Sequence, residues 1–166
     1  MSSDRFTPIA RRTTLLGLTA LAGCGLKPVY GTNGKASILR NTVSFSAPGT
    51  VAGFRLRDRF EERLGRASAP KYALDVQLDQ SLTPATITPD GDTTRFNLAG
   101  TAVWVLRDAA GISLTSGKAE TFTSYSATGS TVATEAAGTD AAARLSVALA
   151  DLIVSRLILA ASALPQ

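Results

Sequence analysis

The chain contains no histidine, and its 166 residues include only one cysteine. Without histidine, a Ser-His-Asp triad and a Cys-His nucleophile pair are both excluded. A single cysteine cannot form an intramolecular disulfide, and without histidine it cannot complete an ordinary zinc site. The sequence also has neither a P-loop nor a G-x-G-x-x-G motif. These absences exclude the commonest kinds of enzyme site, and we expect neither a catalytic constellation nor a cofactor.

The one cysteine, Cys24, follows a short apolar run near the start of the chain. Three arginines in the first twelve residues precede the run TTLLGLTALAG, and this order is typical of a secretory signal. The run is much shorter than the ~20 residues that span a bilayer. Leu-Ala-Gly-Cys at 21–24 matches the bacterial lipobox. The pattern therefore predicts removal of residues 1–23 and attachment of lipid to Cys24.

Two alternatives bear on this segment. The first is that Cys24 is a buried free cysteine of a cytosolic domain, and the flanking small residues disfavour it. The pair Arg11-Arg12 raises the twin-arginine export route, but Thr14 stands where that signal prefers an apolar residue, which favours general export. Gly25 is not the aspartate that retains many lipoproteins in the inner membrane. The implied location is the outer membrane, on the periplasmic side.

Removal of the signal leaves 143 residues with 14 basic and 12 acidic side chains. This length suits one domain with a real core. A net charge of +2 is too small to indicate nucleic-acid binding. Residues 24–36 are rich in Gly, Asn and Pro and are predicted to form the acylated N-terminus and a tether. Residues 37–166 are predicted to form a single domain.

The first half of the domain shows one strand and one helix. Alternating apolar residues predict a strand over 38–46, and Ala52, Leu56, Phe60 and Leu64, at steps of four, predict a helix over 51–67. Five arginines lie between positions 55 and 66. They indicate either an anion-binding face or a solvated surface with i,i+4 charge pairs, and the second interpretation is favoured.

Three consecutive strands follow, predicted over 71–82, 95–108 and 112–127. Gly117 is predicted to mark a β-bulge, because Tyr125 falls out of phase with Phe122. Asp75 and Asp79 share one face of the first of these strands. They could serve as paired carboxylates of an enzyme, but the wet side of an amphipathic strand explains them better.

The last 27 residues before the C-terminal dipeptide, 138–164, predict a long helix capped by Thr139 or Asp140. Its apolar arc is so wide that the helix needs more than one packing surface. The length also fits a membrane span, but Asp151 and Arg156 near the middle would be costly in lipid. Three residues of the wide arc are predicted to contact a partner: Val147, Val154 and Ile158.

These elements predict an α+β fold of order β-α-β-β-β-α. A four-stranded, mostly antiparallel sheet with two helices packed on one face is the economical arrangement for that order. The second face of the middle strand carries Ala99, Val103 and Val105, which suggests that this face is buried against another protein.

The segments CGLKPVYG and SYSATGSTVATEAAGTDAAARLSVALADLIVSRL resemble the start and the tail of the LptE family of lipopolysaccharide (LPS)-assembly lipoproteins. The resemblance covers most of residues 24–157, although Leu26 replaces the commoner aromatic residue. It implies a non-enzymatic subunit that plugs the β-barrel of the outer-membrane LPS translocon, helps that barrel to assemble and binds LPS.

Three basic residues could meet lipid A phosphates through charge-assisted hydrogen bonds: Arg95, Arg107 and Lys118. Ordinary strand-end solubility residues are the other interpretation. The alternative function is a monomeric periplasmic lipid-binding or transport-accessory lipoprotein, which would need an internal cavity. An enzyme that uses Asp75 and Asp79 is the remote third hypothesis.

Overall fold

The structure is a computed structural model that describes residues 35–87, 89, 91, 93–127 and 129–164. Its strands are β1 (Val43–Ser46), β2 (Tyr72–Ile87), β3 (Thr93–Asp108) and β4 (Ser113–Ser126), and its helices are α1 (Val51–Leu64) and α2 (Thr131–Ala160). Short 3-10 helices cover Lys35–Leu39 and Ala161–Ala163. The predicted order β-α-β-β-β-α is confirmed.

The four strands form one sheet in the order β1-β2-β3-β4. β1 runs parallel to β2, while β2, β3 and β4 form an antiparallel meander. The parallel pair needs the crossover through α1, because no tight turn can join parallel strands. The predicted fold class, a mostly antiparallel sheet with two helices, is confirmed.

Both helices cover the same face of the sheet, which we call the inner face. Alternate residues of the strands meet the apolar stripes of the helices there, because side chains of a strand alternate between the two faces. The largest fully buried side chains of this core come from all parts of the fold: Leu39, Val43, Leu56, Phe60, Leu64, Leu74, Leu106, Leu145, Leu149, Ile153, Val154 and Leu157. The opposite, outer face carries no helix among the described elements.

Helix α1 begins where the sequence predicts. The hydroxyl of Thr50 accepts a hydrogen bond from the backbone N–H of Gly53 at 3.1 Å, which caps the helix. The helix ends at Leu64, because Gly65 adopts a φ of 78°, in the left-handed region that glycine tolerates. Leu56, Phe60 and Leu64 are fully buried, as the four-residue spacing predicts.

Helix α2 begins at Thr131, well before the predicted start. Its N-cap is Ser130, whose hydroxyl accepts from the N–H of Ala133 at 3.3 Å, so the predicted cap at Thr139 or Asp140 is wrong. Thr139 instead donates to the carbonyl oxygen of Glu135 within the helix. The alanine-rich segment before Thr139 favours helix and extends it.

The stretch Thr131–Ala163 has a mean hydropathy of 1.8, and its length and composition alone would fit a membrane span. The fold gives a different reason for this apolarity. Eight of its apolar residues are fully buried within the domain: Ala141, Leu145, Leu149, Ala150, Ile153, Val154, Leu157 and Ala161. The wide apolar arc of α2 serves packing against the sheet and against α1.

The start of the domain differs from the prediction. β1 begins at Val43, not at Ile38, and Lys35–Leu39 forms a 3-10 helix instead of a strand. Its residues Ala36 and Leu39 are fully buried. The packed body therefore includes Ala36, which the sequence assigned to the tether.

The predicted bulge at Gly117 is wrong. Gly117 pairs regularly with Trp104, and the shift in register between β3 and β4 lies at Leu106/Arg107. A Cβ at Gly117 would lie 2.8 Å from the indole of Trp104, so the glycine gives room to that ring. Phe122 faces the outer side and Tyr125 the inner side, where Tyr125 stacks on Phe96 at 5.5 Å between ring centroids.

Candidate functional site

The outer face of the sheet has an apolar centre. Ala99 of β3 pairs with Phe122 of β4, and Val103 pairs with Lys118. Phe122 is 65% exposed and Val103 is 45% exposed, although both lie in the middle of regular strands. Large apolar side chains exposed on a rigid sheet are typical of a surface that another molecule covers. The apolar outer face expected from Ala99, Val103 and Val105 thus also includes Phe122, to which the sequence pattern assigns no face.

The three predicted LPS-binding residues all lie on this outer face, but they lie far apart. Arg95 and Arg107 are separated by twelve residues of β3, which is about 40 Å at the usual rise of a strand. Lys118 lies between them, beside Val103. One phosphate group cannot contact more than one of these side chains, so they do not form a single anion site.

Two of these three residues already have acidic neighbours. Arg107 lies 3.6 Å from the carboxylate of Asp75 and donates to the carbonyl oxygen of Gly111 at 3.3 Å. Lys118 forms an ion pair with Glu120, and the hydrogen bond from Lys118 lowers the pKa of the Glu120 carboxyl. Arg95 is exposed and no carboxylate pairs with it among the described residues. Arg95 is therefore the most available of the three for an external anion.

The three predicted partner-contact residues of α2 differ in exposure. Val147 is 36% exposed, Ile158 is half-buried against the core, and Val154 is fully buried in it. Val154 cannot touch a partner while the domain keeps this fold. The surface of α2 that is open to a partner therefore does not include Val154.

A groove of about 490 Å³ lies on the inner side, where α1 begins beside β2 and the first half of α2. Its walls are largely apolar and include Pro48, Val51, Leu78 and Ala142. Arg55 is the one charged residue among those that line it. The groove is open to solvent along one side, since Val51 in its wall is 75% exposed.

An ion-pair network holds the two helices together. Asp151 of α2 accepts hydrogen bonds from Arg59 at 2.9 and 3.0 Å and from Arg63 at 3.2 Å. The hydrogen bond to Asp151 is the largest cause that raises the pKa of the Arg59 guanidinium. Part of the positive charge on the arginine-rich face of α1 is thus paired with a carboxylate within the domain. The sequence pattern does not predict this pairing, although a carboxylate in a mostly apolar helix indicates a need for a cation.

The carboxylates considered for catalysis are not arranged for it. Asp75 and Asp79 are four residues apart on one strand, which separates them by about 13 Å, beyond the spacing of paired catalytic carboxylates. Glu61 pairs with Arg66, and Glu62 pairs with Arg59. No group of three or more metal-ligating side chains occurs among the described residues. Cys24, the predicted lipid site, lies outside them.

The chain matches the protein-family model LptE, described as lipopolysaccharide-assembly, over residues 40–157. This match spans α1, the whole sheet and nearly all of α2. No curated protein sequence matches the chain significantly.

Three solved structures illustrate the fold. A Caulobacter crescentus protein described as a lipoprotein has a TM-score of 0.62 at 22% identity, over 76% of this chain and 96% of its own. The rare lipoprotein B of Shewanella oneidensis has a TM-score of 0.54 at 13% identity, over 74% and 93%. A Nitrosomonas europaea lipoprotein B has a TM-score of 0.58 at 14% identity, over 74% and 84%. At these identities, the likeness shows a shared fold.

Proposed function

Because the chain belongs to the LptE family of lipopolysaccharide-assembly lipoproteins, we propose that it is the lipoprotein subunit that plugs the β-barrel of the outer-membrane LPS translocon. In this role it assists the assembly of the barrel and the insertion of LPS at the cell surface. The mature protein is anchored by lipid on Cys24 and acts without catalysis. The family match over residues 40–157 is the observation that carries this proposal.

The outer face of the sheet supports a protein partner. Its exposed Phe122 and Val103 lie on regularly paired strands, and aromatic side chains are enriched in protein interfaces and contribute strongly to them. We propose that the barrel wall covers this face, together with Val147 and the exposed edge of Ile158 on α2. Arg95, near the tip of the β2–β3 hairpin, is the residue that we propose for contact with an LPS phosphate.

The place where the described chain starts suits a plug. The 3-10 helix that starts the described chain packs against the C-terminal end of α2 and its 3-10 turn. β2 begins near that end and runs about 50 Å to the hairpin tip, at the usual rise of a strand. A lipid anchor ahead of Lys35 therefore allows the hairpin tip to reach far from the inner leaflet in which the lipid sits.

The test is a pull-down of the acylated protein from membranes, with Phe122→Asp and Val103→Asp combined in one variant. We expect the wild type to bring down a β-barrel protein, and the double variant to recover roughly tenfold less of it. Val132→Asp is the matched control, since Val132 is 76% exposed but lies at the start of α2, away from the outer face. Recovery of no barrel protein with the wild type would contradict the proposal.

The lipid anchor has its own test. Metabolic labelling with palmitate should mark the wild type and leave a Cys24→Ser variant unlabelled. Equal labelling of the two proteins would remove the anchor from the proposal.

The groove gives structural support to the alternative function, a lipid-binding periplasmic lipoprotein. A volume of about 490 Å³ with apolar walls could hold an acyl chain. However, a lipid carrier needs a closed cavity, and this groove is open beside the exposed Val51. Mass spectrometry that finds acyl lipid bound to the purified protein would favour the alternative.

A further inference from the structure

One edge of β2 is unpaired over most of its length. β1 pairs with β2 only from Tyr72 to Asp75, and no other described strand lies on that side. Outside the ladders with β1 and β3, no backbone hydrogen bond involves β2 beyond Tyr72 among the described residues. The backbone N–H and C=O groups that point to this side are therefore available to another strand.

A proline limits the open part of this edge. Pro84 pairs with Phe96 of β3, and the regular register of the β2–β3 ladder ends there. Proline has no N–H, so it cannot continue a ladder on the open side. The usable edge thus runs from Val76 to Thr83, which is about 26 Å at the rise of a strand.

The groove described above lies beside this same edge. Leu78 and Gln80 of β2 form one wall, and Val51 and Ala52 of α1 form the opposite wall. β1 ends at Ser46 and the chain turns away through Pro48. It therefore vacates the place next to Leu78 where a longer β1 would have run. A strand in that place would send every second side chain into the groove.

The two sides of this place carry opposite charges. Arg55 lines the groove, is exposed, and has no carboxylate partner among the described residues. Asp79 lies on the outer face of β2 in the same stretch, and it is exposed too. An added strand would therefore be favoured by a carboxylate among its inward residues and a basic residue among its outward ones.

We propose that the β2 edge from Val76 to Thr83 binds an extended segment of another protein as an additional strand. The segment has apolar side chains and one acidic side chain toward the groove, and basic or hydroxyl side chains on the other side. Backbone hydrogen bonds supply affinity and the groove supplies selectivity, as in other cases of strand addition. This inference stands on the edge and the groove, and it does not require the barrel-plug function.

Two other occupants fit less well. An acyl chain could fill the groove, but it cannot satisfy the backbone polar groups of the open edge, which need hydrogen-bond partners when covered. A second copy paired antiparallel through the same edge would bring a second Arg55 to the same face, where β2 carries no carboxylate. The combination of open edge, apolar groove and uncompensated arginine favours a peptide with an acidic residue.

The test uses the full acylated chain in detergent and a synthetic peptide, Lys-Val-Thr-Glu-Lys-Val-Thr, whose alternation matches the two sides of the edge. We expect saturable binding, and we expect hydrogen exchange in the segment Val76–Thr83 to slow at least tenfold for the amides that face the open edge. The same peptide with proline in place of the central glutamate, unable to extend the ladder, should not bind. Protection that appears elsewhere in the chain, or equal binding of the proline peptide, would overturn strand addition.

Charge reversal tests the groove side of the site. Arg55→Glu should weaken binding of the peptide about tenfold, and a peptide with lysine in place of glutamate should recover most of that loss with the Arg55→Glu protein. Arg57→Glu is the matched control, since it makes the same charge change on α1 at a residue that does not line the groove. Equal loss with both variants would contradict a specific role for Arg55.

The same samples separate the other occupants. Light scattering of the wild type without peptide should give one mass across a hundredfold range of protein concentration. A dimer whose formation slows hydrogen exchange in Val76–Thr83 would overturn the proposal and indicate self-association through this edge. Acyl lipid that co-purifies with the wild type and is displaced by none of the peptides would overturn it in favour of a lipid site.

Discussion

The two edges of the sheet are treated in opposite ways. At the β4 edge, Arg144 of α2 donates to the backbone carbonyl of Ser124 at 3.4 Å, and Arg156 of α2 donates to the carbonyl of Lys118. At the β2 edge, beyond Asp75, no described side chain donates to the backbone on the open side. One sheet therefore has one edge capped by a helix and one edge left open beside a groove.

The β4 edge can be capped because the spacing of two carbonyls along the strand matches the spacing of two arginines along α2. Ser124 and Lys118 are six residues apart, so their carbonyl groups point to the same side of β4 and are about 20 Å apart. Arg144 and Arg156 are twelve residues apart on α2, which spans about 18 Å. A helix aligned with the strand can thus reach both carbonyls at once.

The two edges differ in how readily they can accept a partner strand. Unpaired edges invite association with other chains, and natural proteins protect them with charged side chains or proline. Here α2 covers two backbone carbonyls of the β4 edge, those of Ser124 and Lys118, whereas Pro84 protects only the far end of the β2 edge. We therefore expect another chain to pair with Val76–Thr83 more readily than with β4.

The largest expected effect comes from lifting α2 off the sheet. Gly100 of β3 lies under α2, and a Cβ there would come within 2.9 Å of Leu145 and 3.0 Å of Leu149, both fully buried. Gly100→Val should lower the free energy of unfolding by about 1–3 kcal/mol, as overpacking does. Urea denaturation measures the change.

The control for this prediction lies on the open side. Gly49, between β1 and α1, has no atom within 4 Å of an added Cβ. Gly49→Val should change the free energy of unfolding by less than about 0.5 kcal/mol. If Gly100→Val and Gly49→Val lowered the free energy of unfolding equally, the close packing of α2 on β3 would not explain the stability of this side of the sheet.

Removal of the two arginines that cap the β4 edge should have a smaller effect on stability but a clear effect on self-association. Arg144→Met with Arg156→Met exposes the carbonyls of Ser124 and Lys118 while it keeps long side chains on the surface. The free energy of unfolding should change by less than about 1 kcal/mol. The mass in light scattering should rise with protein concentration, because the β4 edge becomes open to a second copy.

The matched control removes two positive charges elsewhere. Arg40→Met with Arg57→Met makes the same change in net charge, and neither arginine contacts the β4 edge among the described contacts. This control should keep the wild-type mass at every concentration. Association of both double variants would show that net charge, not edge protection, keeps the chain dispersed.

The fold could be predicted from sequence because its signals are local. The alternation in β2 and β3 and the four-residue stripe of α1 survive in the structure, since each segment buries one face against one core. The start of α2 was missed because alanine-rich residues carry no amphipathic signal, and Ser130 caps the helix as well as Thr139 would.

The candidate sites could be predicted only in part, because they depend on residues far apart in the chain. The apolar outer residues Val103 and Val105 follow from alternation alone. The open edge does not, since it depends on β1 pairing with only four residues of β2. The ion pairs of Asp151 with Arg59 and Arg63 join positions about ninety residues apart, and no periodicity records them.

The smallest expected effect is the dependence of the capped side on pH. Lys118 donates a hydrogen bond to Glu120 and lowers the pKa of its carboxyl, with a lesser contribution from the charge of Arg156. A carboxyl with a lowered pKa stabilises the folded chain above its unfolded pKa of about 4.3, and that stabilisation is lost as the pH falls through the folded pKa. The melting temperature of the wild type should therefore fall more between pH 6 and pH 3 than that of Glu120→Gln.

This difference in melting temperature should be smaller than the effect of Gly100→Val. It should shrink in 0.5 M salt, because the side chains of Lys118 and Glu120 are more than half exposed to water. Arg156→Met should reduce it further, since Arg156 also favours the ionised carboxylate. Identical pH profiles for the wild type and Glu120→Gln would mean that the ion pair on β4 contributes nothing to the stability of that side of the sheet.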